Sequence, residues 1–465
     1  MLTRLVLALM LIGAAAPPTP APLAHVFTAA MERRLDDLGA GFIRDHRTPG
    51  LGICVVEDGR IVYAHGFGRA NLARNQQFEP GTQFYVGSIS KQFTAAAILL
   101  LAQDGKLKLD DKVTKYVPEL TVAGNATIAQ LLDQTAGLPD YTKATGIKID
   151  PMHTMKLGDL IAAVDKMPPS SAPGAVFAYN NFNYMMAGLV VERASGVTLS
   201  DYLQQHIFLP LVMNQSFYAG DNGISSTHAA GYTGPPGRFT LAPAEDPAWL
   251  FGAGGLVTTM YDLAKWDIGL PLLLRVDAER AMFTPSGAPG AQQYGYGWVI
   301  DSRDGKRYIW HNGLISGYHA MNALLPDDHV AVIVFANVDT FASAAVAQPE
   351  SIAANVLDVV LPPSAVRVDN AVIEKAREWL ERIADKRIDR TQLTPAFSTL
   401  LSDDLVARSN FAALGKVEAL VPIASTAAGK GETTYEFLVR FAHAQEHYKI
   451  TITSDGKIDG LGLSP

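Results

Sequence analysis

The 465-residue sequence contains a single cysteine. Cys54 has no partner for an intramolecular disulfide, and a cysteine-based zinc cluster is excluded. It sits in Leu51-Gly-Ile-Cys-Val-Val56, which reads as a buried strand, so the thiol is an apolar filler rather than a reactive group. Positive charge is also scarce. Lys and Arg number 38 against 46 Asp and Glu, a net charge of −8. There is no long basic run, which argues against nucleic acid and anionic membranes as partners, because both reward clustered cations. The chain has no Gly-x-Ser-x-Gly elbow of an α/β-hydrolase and no His-Glu-x-x-His of a zinc hydrolase. No metal and no cofactor is expected.

Long apolar runs are missing as well. Leu5 to Ile12 is too short to span a bilayer, which takes about 20 residues. With Arg4 before it and Gly13, Ala14, Ala15 and Ala16 after it, the segment 1–24 reads as a cleaved signal peptide. Export to a periplasmic or extracellular location is therefore expected, with no transmembrane segment after cleavage.

Nearly half of the residues are apolar (48%), enough for a sizeable core. Leu51 to Val56 and Arg60 to Ala64 are strand-like runs joined by Asp58-Gly59, a hairpin signal. Lys91 to Gln103 is apolar almost all round and predicts a buried helix, ended by Gly105. Thr127 is placed as a helix N-cap, and Tyr184 to Ala194 as another buried helix closed by Gly196. Tyr308 to His311, Tyr318 to Leu325 and His329 to Phe335 are predicted strands, followed by a helix over 350–360. Strands at both ends with helices between them predict an α+β fold: an antiparallel sheet with flanking helices and an inserted helical region.

Pro362-Pro363-Ser364 reads as a linker. The catalytic unit is placed at 25–363 and a small α+β accessory domain at 364–465. In that domain Ala371 to Ala384 and Phe397 to Leu414 are predicted helical. Val417 to Ile423, Thr433 to Phe441, Tyr448 to Thr453 and Ile458 to Leu463 alternate like strands.

Three short motifs carry the chemistry. In Ser88-Ile89-Ser90-Lys91, positions i and i+3 share one helix face. Lys91 can then serve as the base that a serine hydroxyl needs to become a nucleophile. Taken alone, the pattern also fits an N-cap serine with a solvated lysine. A second copy, Ser454 to Lys457, is explained by a turn. In Tyr179-Asn180-Asn181 the tyrosine can shuttle a proton where nearby cations stabilise its phenolate, and Asn181 can hold a substrate amide and contact the lysine. A core tyrosine beside a helix-start asparagine fits equally well. In His311-Asn312-Gly313 the two polar residues can line a substrate groove, and the glycine lets a ligand approach the backbone. A lone histidine is as readily structural.

The order of the three is that of penicillin-recognising serine enzymes. Roughly Met31 to Leu361 resembles the family of class C β-lactamases and D-alanyl-D-alanine carboxypeptidases, with their esterase and D-peptidase relatives. Phe84-Tyr-Val-Gly-Ser-Ile-Ser-Lys-Gln-Phe93 and Leu131-Leu-Asp-Gln-Thr-Ala-Gly-Leu-Pro139 carry the likeness. So do Gly252-Ala-Gly-Gly-Leu-Val-Thr-Thr259 with Asp262, Tyr294-Gly-Tyr-Gly-Trp298, and Trp310-His-Asn-Gly313.

The resemblance implies a β-lactamase/transpeptidase-like fold and a serine hydrolase that cleaves an amide or ester through an acyl-enzyme. Ser88 is then the nucleophile, with Lys91 and Tyr179 sharing acid and base work. Asn181 binds the substrate carbonyl side, His311 and Gly313 form the far wall, and Asn312 is counted with the substrate-binding residues. The backbone N–H groups of Ser88 and Leu314 make the oxyanion hole. Strong β-lactamases of this family carry Lys-Thr-Gly where His311-Asn312-Gly313 stands. A histidine is only partly charged near neutrality, which implies weak anchoring of an anionic β-lactam. The His-x-Gly form resembles the esterase and D-peptidase branches. A true β-lactamase and a slow penicillin-binding sensor are the alternatives. Gln134 stands where many relatives carry histidine. The C-terminal unit resembles accessory domains that shape or cap the groove or mediate association.

Overall fold

The computed structural model describes residues 27–464 except 220–225, 291, 362–367, 409–413, 430 and 442–444. The proposed signal segment and the Pro362-Pro363-Ser364 linker lie outside the described residues.

Seven strands among the described residues form one antiparallel sheet. In chain order they are β1 (Gly50–Glu57), β2 (Arg60–Asn71), β3 (Gln76–Gln77), β4 (Val299–Arg303), β5 (Lys306–Ile315), β6 (Tyr318–Leu325) and β7 (Val330–Ala336). Their order across the sheet is β3-β2-β1-β7-β6-β5-β4. The sheet is thus closed from both ends of the catalytic unit, with β1 paired to β7 through Ile53 and Val334. Asp58 (φ 48°) and Gly59 (φ 70°) both take the left-handed conformation of a tight two-residue hairpin.

Every residue of β1 is buried, because helices cover both faces of the sheet, and its sequence is correspondingly apolar without alternation. Leu51, Ile53 and Val55 join the core under α1 (Ala29–Arg44) and a late helix, Pro349–Val360. Cys54 and Val56 join the larger core of the helical region. Burial pushes the Cys54 thiol well above its ordinary range, so it stays protonated and inert.

The helical region contains α2 (Ser90–Gln103), α3 (Asn181–Ser195), α4 (Pro247–Gly254) and α5 (Met260–Leu273); α6 (Pro349–Val360) then covers the opposite face. Thr127 caps a short helix, in a capping box with Gln130. Gly196 ends α3 at φ 82°.

Beyond the linker, α7 (Asn370–Ala384) packs Trp379 and Leu380 against a four-stranded antiparallel sheet. Its strands are β8 (Val417–Gly429), β9 (Glu432–Phe441), β10 (Gln445–Ile452) and β11 (Ile458–Ser464). The unit has its own apolar core, drawn from residues between Ala376 and Ile458. The single helix expected over 397–414 is instead two short ones, Pro395–Leu400 and Asp403–Arg408, with 409–413 outside the described residues. The break falls at Ser402, whose Oγ accepts the Leu405 N–H at 3.2 Å and so begins a new helix.

One buried polar cluster joins the two units. The Arg303 guanidinium, at the end of β4, donates to Asp358 of α6 at 2.5 Å and to His447 Nε2 of β10 at 2.8 Å. The Arg303 and Asp358 side chains are 11% and 3% exposed. Removing one partner of such a pair leaves a charge stranded without water. Asp358→Ala is therefore expected to lower unfolding stability by about 3–5 kcal/mol, measured by urea denaturation. A loss below about 1 kcal/mol would mean that solvent reaches Arg303.

Candidate functional site

The site is built around the start of α2. This helix is buried nearly all round, so its first turn is held inside the protein. Ser88 lies just before it, in a tight turn, Gly87–Ile89. Ser90 points away from the groove. Its buried hydroxyl donates to Gly87 O at 2.6 Å and accepts the Leu256 N–H at 2.9 Å. Ser90 thus pins the turn that presents Ser88.

Lys91 Nζ lies 2.9 Å from Ser88 Oγ and donates to Ala253 O at 2.8 Å. That carbonyl is available because α4 breaks at Phe251 (φ 18°, ψ −137°), where the next carbonyls turn toward α2. Thr94 takes the neighbouring one, Gly252 O, at 2.7 Å. Lys91 is fully buried, and burial holds its amine well below the usual lysine range. No carboxylate pairs with it among the described residues. In its neutral form the amine can keep one N–H on Ala253 O and turn a lone pair toward Ser88 Oγ.

Tyr179 approaches from the other side, its O–H donating to Ser88 Oγ at 2.9 Å. Its ring centroid is 5.0 Å from Lys91 Nζ. The phenol is pushed up, first by enclosure. The ring still leaves 43% of its surface open, so solvent relieves part of that push. An ordinary phenol is protonated at neutral pH in any case. As placed, Tyr179 is a proton donor to the serine oxygen.

Gln134 fixes where Tyr179 sits. Its carbonyl accepts the Ala178 N–H at 3.0 Å, and its Oε1 accepts the Asn180 N–H at 3.1 Å. Asn183 Nδ2 donates to the same Oε1 at 2.6 Å. The residue itself is buried with φ 64°, a backbone conformation that non-glycine residues adopt at a cost. The resemblance singled out Gln134 without giving it a role, since its partners lie 44 to 49 positions away and meet it only through the fold.

The asparagines divide the work differently from expectation. Asn180 caps α3, accepting the Phe182 N–H at 2.9 Å, and donates to Pro139 O at 2.9 Å. Asn181 lines the cavity beside Ser88. Its buried Oδ1 has no partner among the described residues. The expected contact with the lysine is not made; Ala253 O takes that place.

The third motif is also redistributed. His311 is buried behind Tyr179. Its Nδ1–H donates to Asn312 O at 2.5 Å, so the bare Nε2 accepts from the Tyr294 hydroxyl at 2.9 Å. Burial, first of all, lowers its pKa to about 3. The ring is therefore uncharged at neutral pH, rather than partly charged. Asn312 faces the opposite side of β5, as strand alternation requires, and donates to Glu350 at 2.5 Å. It is not a wall of the groove.

The protein's own backbone already requires glycine at 313. A Cβ there would sit 1.8 Å from Val86 O and 3.1 Å from Ser88 N. The turn that carries Ser88 packs backbone to backbone on β5. Gly313→Ala must push that turn away. A displacement near 1 Å is expected to lower kcat/KM about 100-fold, measured by steady-state kinetics. An unchanged rate would mean that the turn and β5 move together.

Leu314 follows, and it lines the cavity with Ser88. The cavity holds about 190 Å3 and is bounded also by Tyr141, Asn181, Glu245 and Trp249. None of its lining residues comes from the C-terminal unit, so the expected cap over the groove is not seen there. A larger hollow of about 380 Å3 lies elsewhere, near Asp277 and Arg280, and contains none of these groups. The described residues hold no cluster of His, Cys, Asp and Glu suited to a metal ion. No described helix is long and apolar enough to cross a membrane.

Fold and site together define a protein of the β-lactamase fold. The chain belongs to the Beta-lactamase family, whose model matches residues 23–356. It is 26% identical over 321 residues to Protein flp of Staphylococcus aureus (strain MW2), covering 66% of this chain and 64% of that protein. It is 29% identical over 345 residues to Unguisins hydrolase ungD′ of Aspergillus campestris, covering 68% and 62%. The chain thus spans less than two thirds of these relatives' length. Its structure is similar to the octameric penicillin-binding protein homologue from Pyrococcus abyssi. That match has a TM-score of 0.64 and 23% identity, and it covers 91% of this chain and 96% of that one.

Proposed function

We propose that the protein cleaves an amide or ester through an acyl-enzyme on Ser88, as an esterase or D-peptidase does. The observation that carries this is the convergence of Lys91 Nζ and Tyr179 Oη on Ser88 Oγ, each at 2.9 Å. The neutral amine of Lys91 takes the Ser88 proton as Oγ attacks the substrate carbonyl carbon. The backbone N–H groups of Ser88 and Leu314 receive the developing oxyanion. Tyr179 gives its proton to the leaving amine or alcohol, and the protonated Lys91 returns a proton to the tyrosinate. Water then attacks the ester on Ser88 and loses its proton to Lys91, which passes it to Ser88 Oγ as the acid leaves.

The unpartnered Asn181 Oδ1 accepts an N–H from the substrate. It would otherwise be a buried acceptor without a hydrogen bond, which costs about 1–3 kcal/mol.

Efficient β-lactam turnover is disfavoured. No lysine or arginine lines the cavity among the described residues, and His311 is uncharged, so no cation is present to hold a carboxylate. Export through the segment 1–24 belongs to the same proposal.

The test is intact-mass spectrometry after mixing the protein with p-nitrophenyl esters, nitrocefin and a D-alanyl-D-alanine peptide. A transient adduct on Ser88 with ester or peptide is expected. An acyl adduct from nitrocefin that persists for hours, without turnover of the others, would favour the sensor reading.

A further inference from the structure

The cavity beside Ser88 has one charged side chain in its lining, Glu245. Its position is fixed from two sides. The Ser316 N–H, just past β5, donates to Glu245 Oε1 at 2.8 Å, and the Ser316 hydroxyl donates to Pro243 O at 2.6 Å. The next residue, Asp246, caps α4 and accepts from Thr154 at 2.7 Å. Glu245 is therefore held at the rim of the groove by the same strand that carries Leu314.

Its electrostatic situation is unusual. Burial raises its pKa, and the nearby Asp339 adds to that effect. No Lys, Arg or His pairs with it among the described residues, although surface carboxylates of this protein commonly find such partners. A half-buried carboxylate without a countercharge is costly. Here it stands beside two aromatic residues, Tyr141 and Trp249, whose ring centroids are 6.3 Å apart. A carboxylate beside aromatic faces is the chemistry that receives an ammonium group. A ligand cation would supply the charge that the protein itself does not.

Resting on the acyl-enzyme reading above, we infer that the acyl part of the substrate bears an ammonium group bound by Glu245. The enzyme then prefers small aminoacyl amides or esters with a free amine over neutral acyl groups, and disfavours anionic ones. The cavity volume fits this size class. It lies below the roughly 300–1,000 Å3 of pockets for drug-sized ligands, so the acyl group is about as large as one amino acid.

The inference is tested with three p-nitroanilides of similar acyl size at pH 7: racemic alanyl, isobutyryl and methylmalonyl. For the wild type, kcat/KM is expected to fall in that order, the alanyl compound leading the isobutyryl by about tenfold. Glu245→Gln removes the charge and keeps the shape. The alanyl-to-isobutyryl ratio is expected to drop about tenfold, carried by KM for the alanyl substrate. The ratio is independent of how much of the variant is folded, and Glu245→Asp should retain most of the preference. Release that depends on Ser88 but shows no charge preference, or a ratio unchanged in Glu245→Gln, would overturn this inference alone. No Ser88-dependent release from any of the three would overturn the acyl-enzyme reading and this inference with it.

Discussion

Ser88→Ala is expected to abolish both the covalent adduct and turnover, lowering kcat about 10,000-fold or more. No other hydroxyl stands ready to replace it. Ser90 is two positions away, but its oxygen is buried and committed to Gly87 and Leu256. The variant should remain folded, because Lys91 keeps its bond to Ala253 O and Tyr179 is open to solvent. Intact-mass spectra beside steady-state rates check the prediction. A variant that keeps its rate within tenfold of the wild type would place the nucleophile elsewhere.

Lys91→Met tests the base. The side chain keeps most of its length and loses the amine, so the serine proton has no acceptor. A loss of about 100- to 10,000-fold in kcat is expected, the usual share of a positioned general base. The same residue should govern pH behaviour. Burial depresses its folded-state pKa, so the wild-type rate should rise with pH as the amine loses its proton and then level off.

Folding stability follows the sign of that shift. Between the depressed folded value and the ordinary lysine value near 10.4, the unfolded chain binds the extra proton. Stability contributed by this site therefore rises with pH across that window and is flat above it. The difference in unfolding free energy between wild type and Lys91→Met, measured by urea titration at several pH values, should carry this slope. A flat difference would mean that Lys91 is charged in the folded protein.

Much of this architecture was legible along the chain. Asp58-Gly59 allowed only a tight hairpin, and the apolar girth of α2 required a buried helix. The spacing of Ser88 and Lys91 put both on one helical face. Those features are local, because they depend on backbone preferences and on helix and strand periodicity.

Other features are not local. Gln134 and Ala178 meet across a loop, and the charge state of His311 depends on how deeply β5 is covered. Gly313 looked like a place for ligand and is a place for Val86. Asn312 belonged to a motif by sequence but to the opposite face by alternation.

The sequence by itself determined the elements, the order of the three motifs and the pairing of a serine with a lysine one turn away. Only the tertiary structure decided which groups are charged and which polar atoms are left without partners. Protonation follows burial and the nearest charges, and burial is a property of the packed chain. The Lys91 amine is pushed toward its neutral form, and His311 is neutral, because helices and strands distant in sequence exclude water from them. Glu245 faces the groove without a countercharge because β5 and the start of α4 hold it there.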